Sequence, residues 1–244
     1  MLTNNQRKLI LQLSKKKYRI ANNLFVAEGK KVVNELIASN WRFQNLFSTE
    51  DNFHQDSKLL KLEEMKKITH FKTPSQVLGV FFLPESQKIL SESTTIALDG
   101  VSDPGNLGTI IRLCDWFGLS ELICSKTTVD CYNPKVVQSA MGSLSRVNIT
   151  YLDLENFLNS ESLNRFGTFI NGESVYENKI STDNGIVVFG NEANGISSNL
   201  RSLIDVELTI PRFNNKSYPE SLNLSNSLGI ILSEFSRKSN EKKN

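Results

Sequence analysis

The sequence predicts an α/β protein in which a small N-terminal βα domain precedes a larger domain built on a parallel sheet. After about residue 94, short apolar runs alternate with helical stretches, and runs such as Ile186–Phe189 are apolar at every position. Strands of this kind are typical of parallel sheets that helices cover on both faces. Ligands of such sheets bind beyond the carboxyl ends of the strands, so the loops there are expected to carry the functional site.

Composition narrows the class of protein. The chain has 244 residues, of which 39% are hydrophobic and 22% charged, as in folded globular proteins. No stretch approaches the roughly 18 apolar residues of a transmembrane helix, and residues 2–8 lack the apolar core of a secretory signal. Two histidines and three cysteines without a Cys-x-x-Cys pair make a metal site or a disulfide framework unexpected. We therefore expect a cytoplasmic protein that binds no metal.

The first part of the chain is predicted to be a small βα domain. The expected elements are a helix over 4–17, a strand at 25–27, a helix over 30–38, a strand at 43–47, a basic helix over 57–67 and a strand at 77–83. The polar segment 84–93 is the best boundary. The predicted domains are therefore 1–88 and 94–237, and residues 238–244 form a polar tail.

Charge is unevenly divided between these parts. Residues 1–90 carry 15 Lys and Arg against 8 Asp and Glu, whereas residues 91–236 carry 9 against 17. A basic N-terminal part favours contact with a polyanion. A solvated basic face explains the same charge equally well.

The second part of the chain is predicted to alternate strands and helices. The strands are expected at 95–98, 121–124, 147–151, 167–171, 186–189 and 206–210, and the helices at 107–117, 135–141, 153–163, 198–204 and 222–236.

The first unusual loop is Asp-Gly-Val-Ser-Asp-Pro-Gly-Asn-Leu-Gly at 99–108, directly after a strand. Asp-Pro-Gly forces a turn, and Asn106 is placed to cap the helix that follows. The apolar positions of that helix leave Arg112 off its buried face. Taken alone, the loop is explained by a helix cap and a surface charge.

The second loop is Gly-Asn-Glu-Ala-Asn-Gly-Ile at 190–196, where two glycines bracket Glu192. Glycine at a strand end allows positive φ and lets a ligand approach the backbone. An ordinary turn with a solvated glutamate is the simpler alternative.

The third loop follows the strand at 206–210 and ends in Ser-Leu-Asn-Leu-Ser-Asn-Ser at 221–227. Helix capping explains one of these polar side chains but not so many on a helix that must pack into a core. The chain has no Gly-x-Gly-x-x-Gly, no Gly-Lys-Ser/Thr and no Gly-x-Ser-x-Gly motif, which disfavours dinucleotide, nucleoside-triphosphate and serine-hydrolase folds.

In this order and spacing the three loops resemble those of the SpoU (TrmH-type) RNA 2′-O-ribose methyltransferases of the SPOUT superfamily. The matching segments are Asp-Pro-Gly-Asn-Leu-Gly-Thr-Ile-Ile-Arg at 103–112, Gly-Asn-Glu-Ala-Asn-Gly-Ile at 190–196, Ile-Pro at 210–211 and Glu-Ser-Leu-Asn-Leu-Ser at 220–225. Phe-Val-Ala-Glu-Gly-Lys at 25–30 and residues 76–80 are similar to the family's L30e-like substrate-binding extension. The resemblance covers nearly the whole chain.

The resemblance implies a fold and a cofactor that chain physics does not predict. It implies a C-terminal domain with a deep trefoil knot, although knots are otherwise nearly absent from proteins. The knot forms the pocket for S-adenosylmethionine, which here would use Gly190, Ile210 and Leu222. It also implies a homodimer in which the subunit interface completes the site.

The resemblance also implies the catalytic residues. Arg112 matches the family's catalytic arginine, and Asn106, Glu192, Ser221 and Asn223 match the positions that orient the arginine, ribose and cofactor. A guanidinium with a pKa above about 12 is a poor base. Arg112 is therefore expected to hold the substrate phosphate and stabilise negative charge on the 2′-oxygen.

RNA is the expected partner, with no membrane, and ribosomal RNA is favoured over transfer RNA. The candidate RNA-binding residues are Lys15, Lys16, Lys17, Arg19, Lys30 and Lys31. The alternatives are a transfer-RNA methyltransferase, an RNA-binding protein that has lost activity and, less favoured, a small-molecule enzyme. The link between Ile-Pro and Ser-Leu-Asn is longer than in the family and lacks glycine, which leaves substrate choice open.

Overall fold

The computed structural model describes residues 2–85, 94–177, 185–213 and 221–241. Within these ranges the chain forms two compact units. The first comprises the N-terminal residues up to 85 together with 130–146, and the second comprises the remaining described residues. The predicted domains were contiguous, so the sequence did not reveal that 130–146 packs with the first unit. Most of the predicted boundary, 86–93, lies outside the described residues.

The first unit is built on a mixed four-stranded sheet. Its N-terminal elements are α1 (Asn4–Gln12), α2 (Lys16–Asn22), β1 (Leu24–Glu28), α3 (Lys30–Ala38), β2 (Phe43–Ser48), β3 (Ser57–Leu59), α4 (Leu62–Met65) and β4 (Val77–Phe82). The strand order is β1-β4-β2-β3, in which β4 is antiparallel to both neighbours and β3 is parallel to β2. One core cluster in this unit joins α1 to the sheet through residues such as Ile10, Leu13 and Phe47.

Two predictions for this unit were wrong in part. The predicted helix over 4–17 is two helices, because α1 ends at Gln12 and a new helix begins at Lys16. The predicted helix over 57–67 begins as strand β3, which pairs with β2 from Leu46↔Ser57 to Ser48↔Leu59. Pairing with a neighbouring strand thus overrides the local helical preference of this charged segment.

The second unit is built on a six-stranded sheet that is parallel throughout, as predicted. Its strands are β5 (Thr95–Leu98), β6 (Glu121–Ser125), β7 (Asn148–Leu152), β8 (Asn164–Ser174), β9 (Gly185–Phe189) and β10 (Val206–Thr209), in the order β10-β8-β9-β5-β6-β7. The helices are α5 (Pro104–Trp116), α7 (Leu154–Ser160), α8 (Ser198–Arg201) and α9 (Leu224–Glu241). Helix α6 (Pro134–Ala140) and the 3₁₀-helix Met141–Ser145 lie in the segment that packs with the first unit.

Helix α9 extends into the segment predicted to be a polar tail. The helix runs to Glu241, and the Nζ atom of Lys238 donates a hydrogen bond to the carbonyl oxygen of Val175 at 2.7 Å. Arg237 and Lys238 also pair with Glu234 one turn earlier. These contacts attach α9, as far as Lys238, to the segment that follows β8 in the same unit. In the part of the chain that the structure describes, no helix is both long and apolar enough to cross a membrane.

Candidate active site

The first two loops are held together at the carboxyl edge of the parallel sheet. They follow neighbouring strands, since β5 pairs with β9 up to Leu98↔Phe189. Beyond the strands, the side-chain amide of Asn191 donates to the carbonyl oxygen of Gly100 at 2.7 Å. The Asp99 carboxylate accepts a hydrogen bond from the backbone N–H of Ser197 at 2.8 Å. Side chains of each loop therefore fix the backbone of the other.

The second loop folds back on itself, and this explains its first glycine. Asn191 and Gly195 exchange two backbone hydrogen bonds of 2.9 Å, and Gly195 has a φ of +68°. A Cβ atom added at Gly190 would lie 2.0 Å from the carbonyl carbon of Gly195. Gly190 is thus required by the closure of the loop itself, whether or not a ligand also approaches it.

The cap of helix α5 differs from the prediction. Asp103 and not Asn106 is the N-cap, because its side chain accepts a hydrogen bond from the backbone N–H of Asn106 at 2.7 Å. Pro104 occupies the first helical position, where proline is common. This proline is the signal in the sequence from which Asp103 could have been predicted as the cap. The side chain of Asn106 is consequently available for another role.

Asn106 links all three loops through its side-chain amide. Its Nδ2 atom donates to Oε1 of Glu192 at 3.0 Å, and its Oδ1 atom accepts from Nδ2 of Asn223 at 3.0 Å. Asn106 is 9% exposed, whereas Glu192 and Asn223 are exposed, so each bond is shielded from water at its Asn106 end. Three residues that the sequence placed in three separate motifs thus form one hydrogen-bonded chain.

Glu192 fixes the direction of this chain. Burial alone would raise the pKa of the Glu192 carboxyl. Hydrogen bonds from the Asn106 side chain and from the backbone at Ser102 and Asp103 together lower it by more, so the pKa lies below its ordinary value. An ionised carboxylate only accepts hydrogen bonds. The Nδ2 atom of Asn106 must therefore face Glu192, which leaves Oδ1 to face Asn223. The backbone contacts of Ser102 and Asp103 were not anticipated from the sequence.

Asn223 caps helix α9 while it contacts Asn106. Its Oδ1 atom accepts from the backbone N–H of Ser225 at 3.0 Å and from the Ser225 hydroxyl at 2.7 Å. The cap uses the oxygen of the amide and the chain to Glu192 uses the nitrogen. Ser221 and Leu222, which precede it, are exposed, and Glu220 of the third motif lies outside the described residues.

Arg112 lies on the solvent side of α5, as the apolar pattern predicted. Thr109 and Leu113, on the same part of the helix, line a groove between α5 and α9 together with Leu222 and Ser225. Residues three apart on a helix lie on neighbouring turns of one face. Arg112 is therefore one turn from Thr109 on the helix that also carries Asn106, but it does not line the groove itself.

The structure does not bring the three predicted cofactor residues into one described cavity. Gly190 is buried in its own loop, and Leu222 lines the groove between α5 and α9. Ile210 lies between Thr209 and Pro211, which line an open cleft at the ends of β8 and β10. The other lining residues of this cleft are Ile170, Asn171, Gly172 and Arg212, and its volume is about 480 Å³. Residues 214–220, which join Ile210 to Leu222 in sequence, lie outside the described residues.

Five of the six predicted RNA-binding residues are exposed in the first unit. Lys15, Lys16, Lys17, Lys30 and Lys31 all reach solvent, and Lys30 pairs with Glu50 at 2.6 Å.

Arg19 is the exception and corrects the prediction. It is 2% exposed, pairs with Asp130, and donates to the carbonyl oxygens of Leu13 and Ser14 at 2.8 and 2.9 Å. With its donors engaged inside the protein, Arg19 has a structural role and does not present a charge to RNA.

The Glu-Gly step of the N-terminal motif also has a structural explanation. Glu28 is 3% exposed and accepts hydrogen bonds from the Thr69 hydroxyl at 2.6 Å and the His70 backbone N–H at 2.7 Å. Burial nevertheless raises the pKa of Glu28 above its ordinary value. Gly29 has a φ of +110°, a conformation that other residues rarely adopt.

Among the described residues, no group of three or more His, Cys, Asp or Glu side chains is arranged to hold a metal ion. Cys114, Cys124 and Cys131 are buried and free of disulfide bonds.

Known proteins resemble this chain over nearly its full length. A family model described as the SpoU rRNA Methylase family matches residues 93–233, and one described as the MRM3-like substrate binding domain matches residues 4–79. The 23S rRNA (guanosine(2553)-2'-O)-methyltransferase RlmP of Bacillus subtilis is 28% identical over 231 residues, which cover 91% of this chain and 92% of the relative.

Two solved structures have the same fold. A TrmH-family protein from Porphyromonas gingivalis is 34% identical, with a TM-score of 0.86 over 98% of this chain and 99% of its own. An rRNA methyltransferase from Sinorhizobium meliloti, solved with AdoMet bound, is 28% identical, with a TM-score of 0.85 over 98% of this chain and 96% of its own.

The fold and the three joined loops define an α/β methyltransferase of the class that uses S-adenosylmethionine. Within that class, the chain belongs to the SpoU rRNA methylase family, whose model covers more than half of its length. The family predicted from the three motifs is thereby confirmed.

Proposed function

We propose that this protein transfers a methyl group from S-adenosylmethionine to a ribose 2′-hydroxyl of structured RNA, and that the RNA is ribosomal. The observation that carries the proposal is the chain from Asn223 through Asn106 to Glu192, which joins the three family motifs into one site. The B. subtilis relative named as a 23S rRNA 2′-O-methyltransferase supports the choice of ribosomal RNA.

The main requirement of the reaction is that the methyl donor and the ribose hydroxyl are correctly aligned. When bound, S-adenosylmethionine would supply a methyl group activated by its positive sulfur. Transfer would join that carbon to the ribose oxygen, leave the electron pair of the broken carbon–sulfur bond on sulfur, and release the hydroxyl proton to water. Correct orientation of two reactants supplies about 7–11 kcal/mol of a barrier. The hydrogen bonds between Asn223, Asn106 and Glu192 hold the loops that would align the two reactants. Each of these three residues also makes a hydrogen bond that involves a backbone N–H group.

We assign to Arg112 the stabilisation of the negative charge that develops on the ribose 2′-oxygen. Its exposed position on α5 lets it approach a substrate from solvent. A guanidinium offers several donors to a phosphate while it stabilises negative charge on the 2′-oxygen. Asn106 and Glu192 position the start of the same helix, and Ser221 and Asn223 form the opposite side of the site.

The cofactor would be held where β8 and β10 end. The cleft there, of about 480 Å³, is within the range of nucleoside-sized ligand sites and mixes apolar groups with the polar side chains of Asn171, Thr209 and Arg212. Such a lining suits a ligand with an adenine, a ribose and an amino acid. Ile210 lies between two residues of this lining, Thr209 and Pro211. Gly190 and Leu222 do not line the cleft as described, and their contacts with the cofactor stay an assignment from the resemblance, within the trefoil knot that the family implies.

We assign the homodimer interface to the outer faces of α5 and α9. Trp116 on α5 is 84% exposed, and the groove between the two helices includes the apolar side chains of Leu113 and Ile230. A second copy of this chain would cover Trp116, Leu113 and Ile230, whose apolar groups otherwise face water.

The basic residues of the first unit supply the affinity for RNA. Lys15, Lys16, Lys17, Lys30 and Lys31 would neutralise phosphates, a contribution that depends on salt concentration. A cytoplasmic location is consistent with three cysteines that form no disulfide bond, since reducing compartments keep thiols reduced.

Two measurements test the proposal together. Calorimetric titration with S-adenosylmethionine should give saturable binding at one site per chain. Transfer of a labelled methyl group from it to protein-free ribosomal RNA should exceed transfer to transfer RNA. Binding without transfer to any RNA would favour an RNA-binding protein that has lost activity, and preferred transfer to transfer RNA would replace the substrate.

A further inference from the structure

Two exposed aromatic rings meet beside the cleft at the carboxyl edge of the sheet. Phe213 is 86% exposed and Tyr176 is 42% exposed, and their ring centroids are 6.5 Å apart at an interplanar angle of 40°. Large rings that lie together in solvent bury little of their own surface. Their position therefore calls for a ligand that covers them.

The two rings follow neighbouring strands, and the pairing of these strands continues to Val175, next to Tyr176, and to Thr209, four residues before Phe213. Tyr176 follows β8 and Phe213 follows β10, and the backbone N–H of Val175 donates to the carbonyl oxygen of Thr209 at 2.9 Å. Tyr176 thus adjoins the paired part of the sheet edge, and Phe213 contacts it from the segment that follows β10.

The ring pair also adjoins both parts of the proposed site. Arg212, immediately before Phe213, lines the cleft assigned to the cofactor. Tyr176 lines the groove that contains Leu222 and Ser225, on either side of Asn223. A planar group resting on the rings would lie next to a cation and close to the catalytic loops.

Phe213 lies in the link between Ile210-Pro211 and Ser221, which also carries Arg212. The three motifs at 103–112, 190–196 and 220–225 contain neither Tyr176 nor Phe213. The aromatic pair therefore lies outside the motifs that carry the family resemblance.

We propose that Tyr176 and Phe213 form a stacking platform for an unpaired base of the substrate RNA, next to the nucleotide that is methylated. This inference rests on the proposed function. Sequence-specific RNA recognition uses unpaired bases that stack on aromatic side chains, with arginine beside them. The platform would thus select the RNA segment that enters the site, while Arg112 acts on the ribose.

The test compares Phe213→Leu with Phe213→Tyr in the full-length protein. Leucine keeps an apolar side chain without a ring, and tyrosine keeps the ring. We expect Phe213→Leu to raise KM for RNA by about 5- to 150-fold, the loss measured when one stacked aromatic is removed. The Kd for S-adenosylmethionine and the oligomeric state should not change, and Phe213→Tyr should behave like the wild type. Tyr176→Leu should weaken RNA binding in the same way.

Three results would overturn the platform. An unchanged KM for RNA in Phe213→Leu would remove its role, weaker binding of S-adenosylmethionine would assign the rings to the cofactor adenine, and a changed oligomeric state would assign them to the partner subunit. All three presuppose a wild-type protein that methylates RNA. If the wild type transfers no methyl group, the proposed function fails first, and the two failures are distinguishable.

Discussion

The side-chain amide of Asn223 donates a hydrogen bond to Oδ1 of Asn106 at 3.0 Å, although 117 positions separate the two residues. Asn106 lies in the first turn of α5 in the second unit, and Asn223 caps α9. Because Asn106 also donates to Glu192, a single amide contacts a side chain from each of the other two loops. This relationship makes Asn106 the most sensitive position outside the reacting groups.

Asn106→Asp should reduce methyl transfer and destabilise the protein. The substitution replaces the Nδ2 donor by a second carboxylate facing Glu192. Loss of a buried hydrogen-bond partner costs about 1–3 kcal/mol, and the like charges add to this. Chemical denaturation and initial transfer rates measure the two effects. Asn199→Asp is the matched control, since Asn199 donates to Glu155 at 2.8 Å on the exposed surface and should lose little. Equal effects at both positions would contradict the central role of Asn106.

Gly190→Ala should prevent the second loop from closing. The added methyl group would meet backbone atoms of Gly195 and Ile196 at 2.0–2.1 Å, which no side-chain movement can relieve. We expect loss of the native thermal transition or a large drop in Tm. Gly229→Ala in α9 is the control, because its methyl group meets Leu113 at 3.6 Å and alanine favours helix by about 1 kcal/mol. A Gly190→Ala protein as stable as the Gly229→Ala protein would exclude this account of the loop.

The buried Arg19 should contribute to stability and not to RNA affinity. Removing one partner of a buried ion pair costs about 3–5 kcal/mol. Asp130→Asn should therefore destabilise the protein, as should Arg19→Met, and denaturant titration checks both. RNA binding of the folded variants should keep the wild-type salt dependence. A flatter salt dependence in Arg19→Met would return Arg19 to the RNA-binding residues.

Charge reversal at Lys16 and Lys30 should weaken RNA binding and flatten its salt dependence. Each phosphate contact that is lost reduces the slope of log K against log salt by about 0.7–0.9. Binding titrations at several salt concentrations give this slope. If it stays unchanged, these lysines belong to a solvated face. The double reversal of Lys66 and Lys67, two other exposed lysines of the same unit, controls for net charge.

Glu192 should make stability depend on pH in the acidic range. Its pKa is lowered in the folded protein, so its stabilising effect is complete above the ordinary pKa of glutamate. The effect is lost as the pH falls through the lower value of the folded state. Denaturant unfolding between about pH 3 and pH 7 should show a smaller loss of stability for Glu192→Gln than for the wild type. Parallel curves for the two proteins would mean that the carboxylate is not held as described.

Much of the fold could be predicted from local sequence. The uniformly apolar runs became the parallel strands, and α3 spans the predicted residues because its buried positions Val32, Val33 and Leu36 recur with helical spacing. The predictions that failed depended on distant contacts. β3 forms because β2 lies beside it, and α9 continues beyond residue 237 because Lys238 reaches Val175.

The candidate site was also predictable where it depends on local sequence and not predictable where it depends on distant contacts. The motifs located Asn106, Glu192 and Asn223, but their hydrogen bonds depend on how β5, β9 and α9 are placed in space. The burial of Arg19 could not be foreseen, since its partner Asp130 lies 111 positions away. Within the motifs, local chemistry still carried information, because Pro104 marks Asp103 as the cap.

The position of the transferred methyl group, and the rate at which Arg112→Ala delivers it, test the central claim most directly. RNA treated with the wild type and with Arg112→Ala is digested to nucleosides, and 2′-O-methylated ribose is quantified by mass spectrometry over time. We expect the wild type to yield a 2′-O-methyl nucleoside, and Arg112→Ala to be slower by about 10²–10³-fold while it still binds RNA. A methyl group on a base, or a near wild-type rate in Arg112→Ala, would contradict the claim.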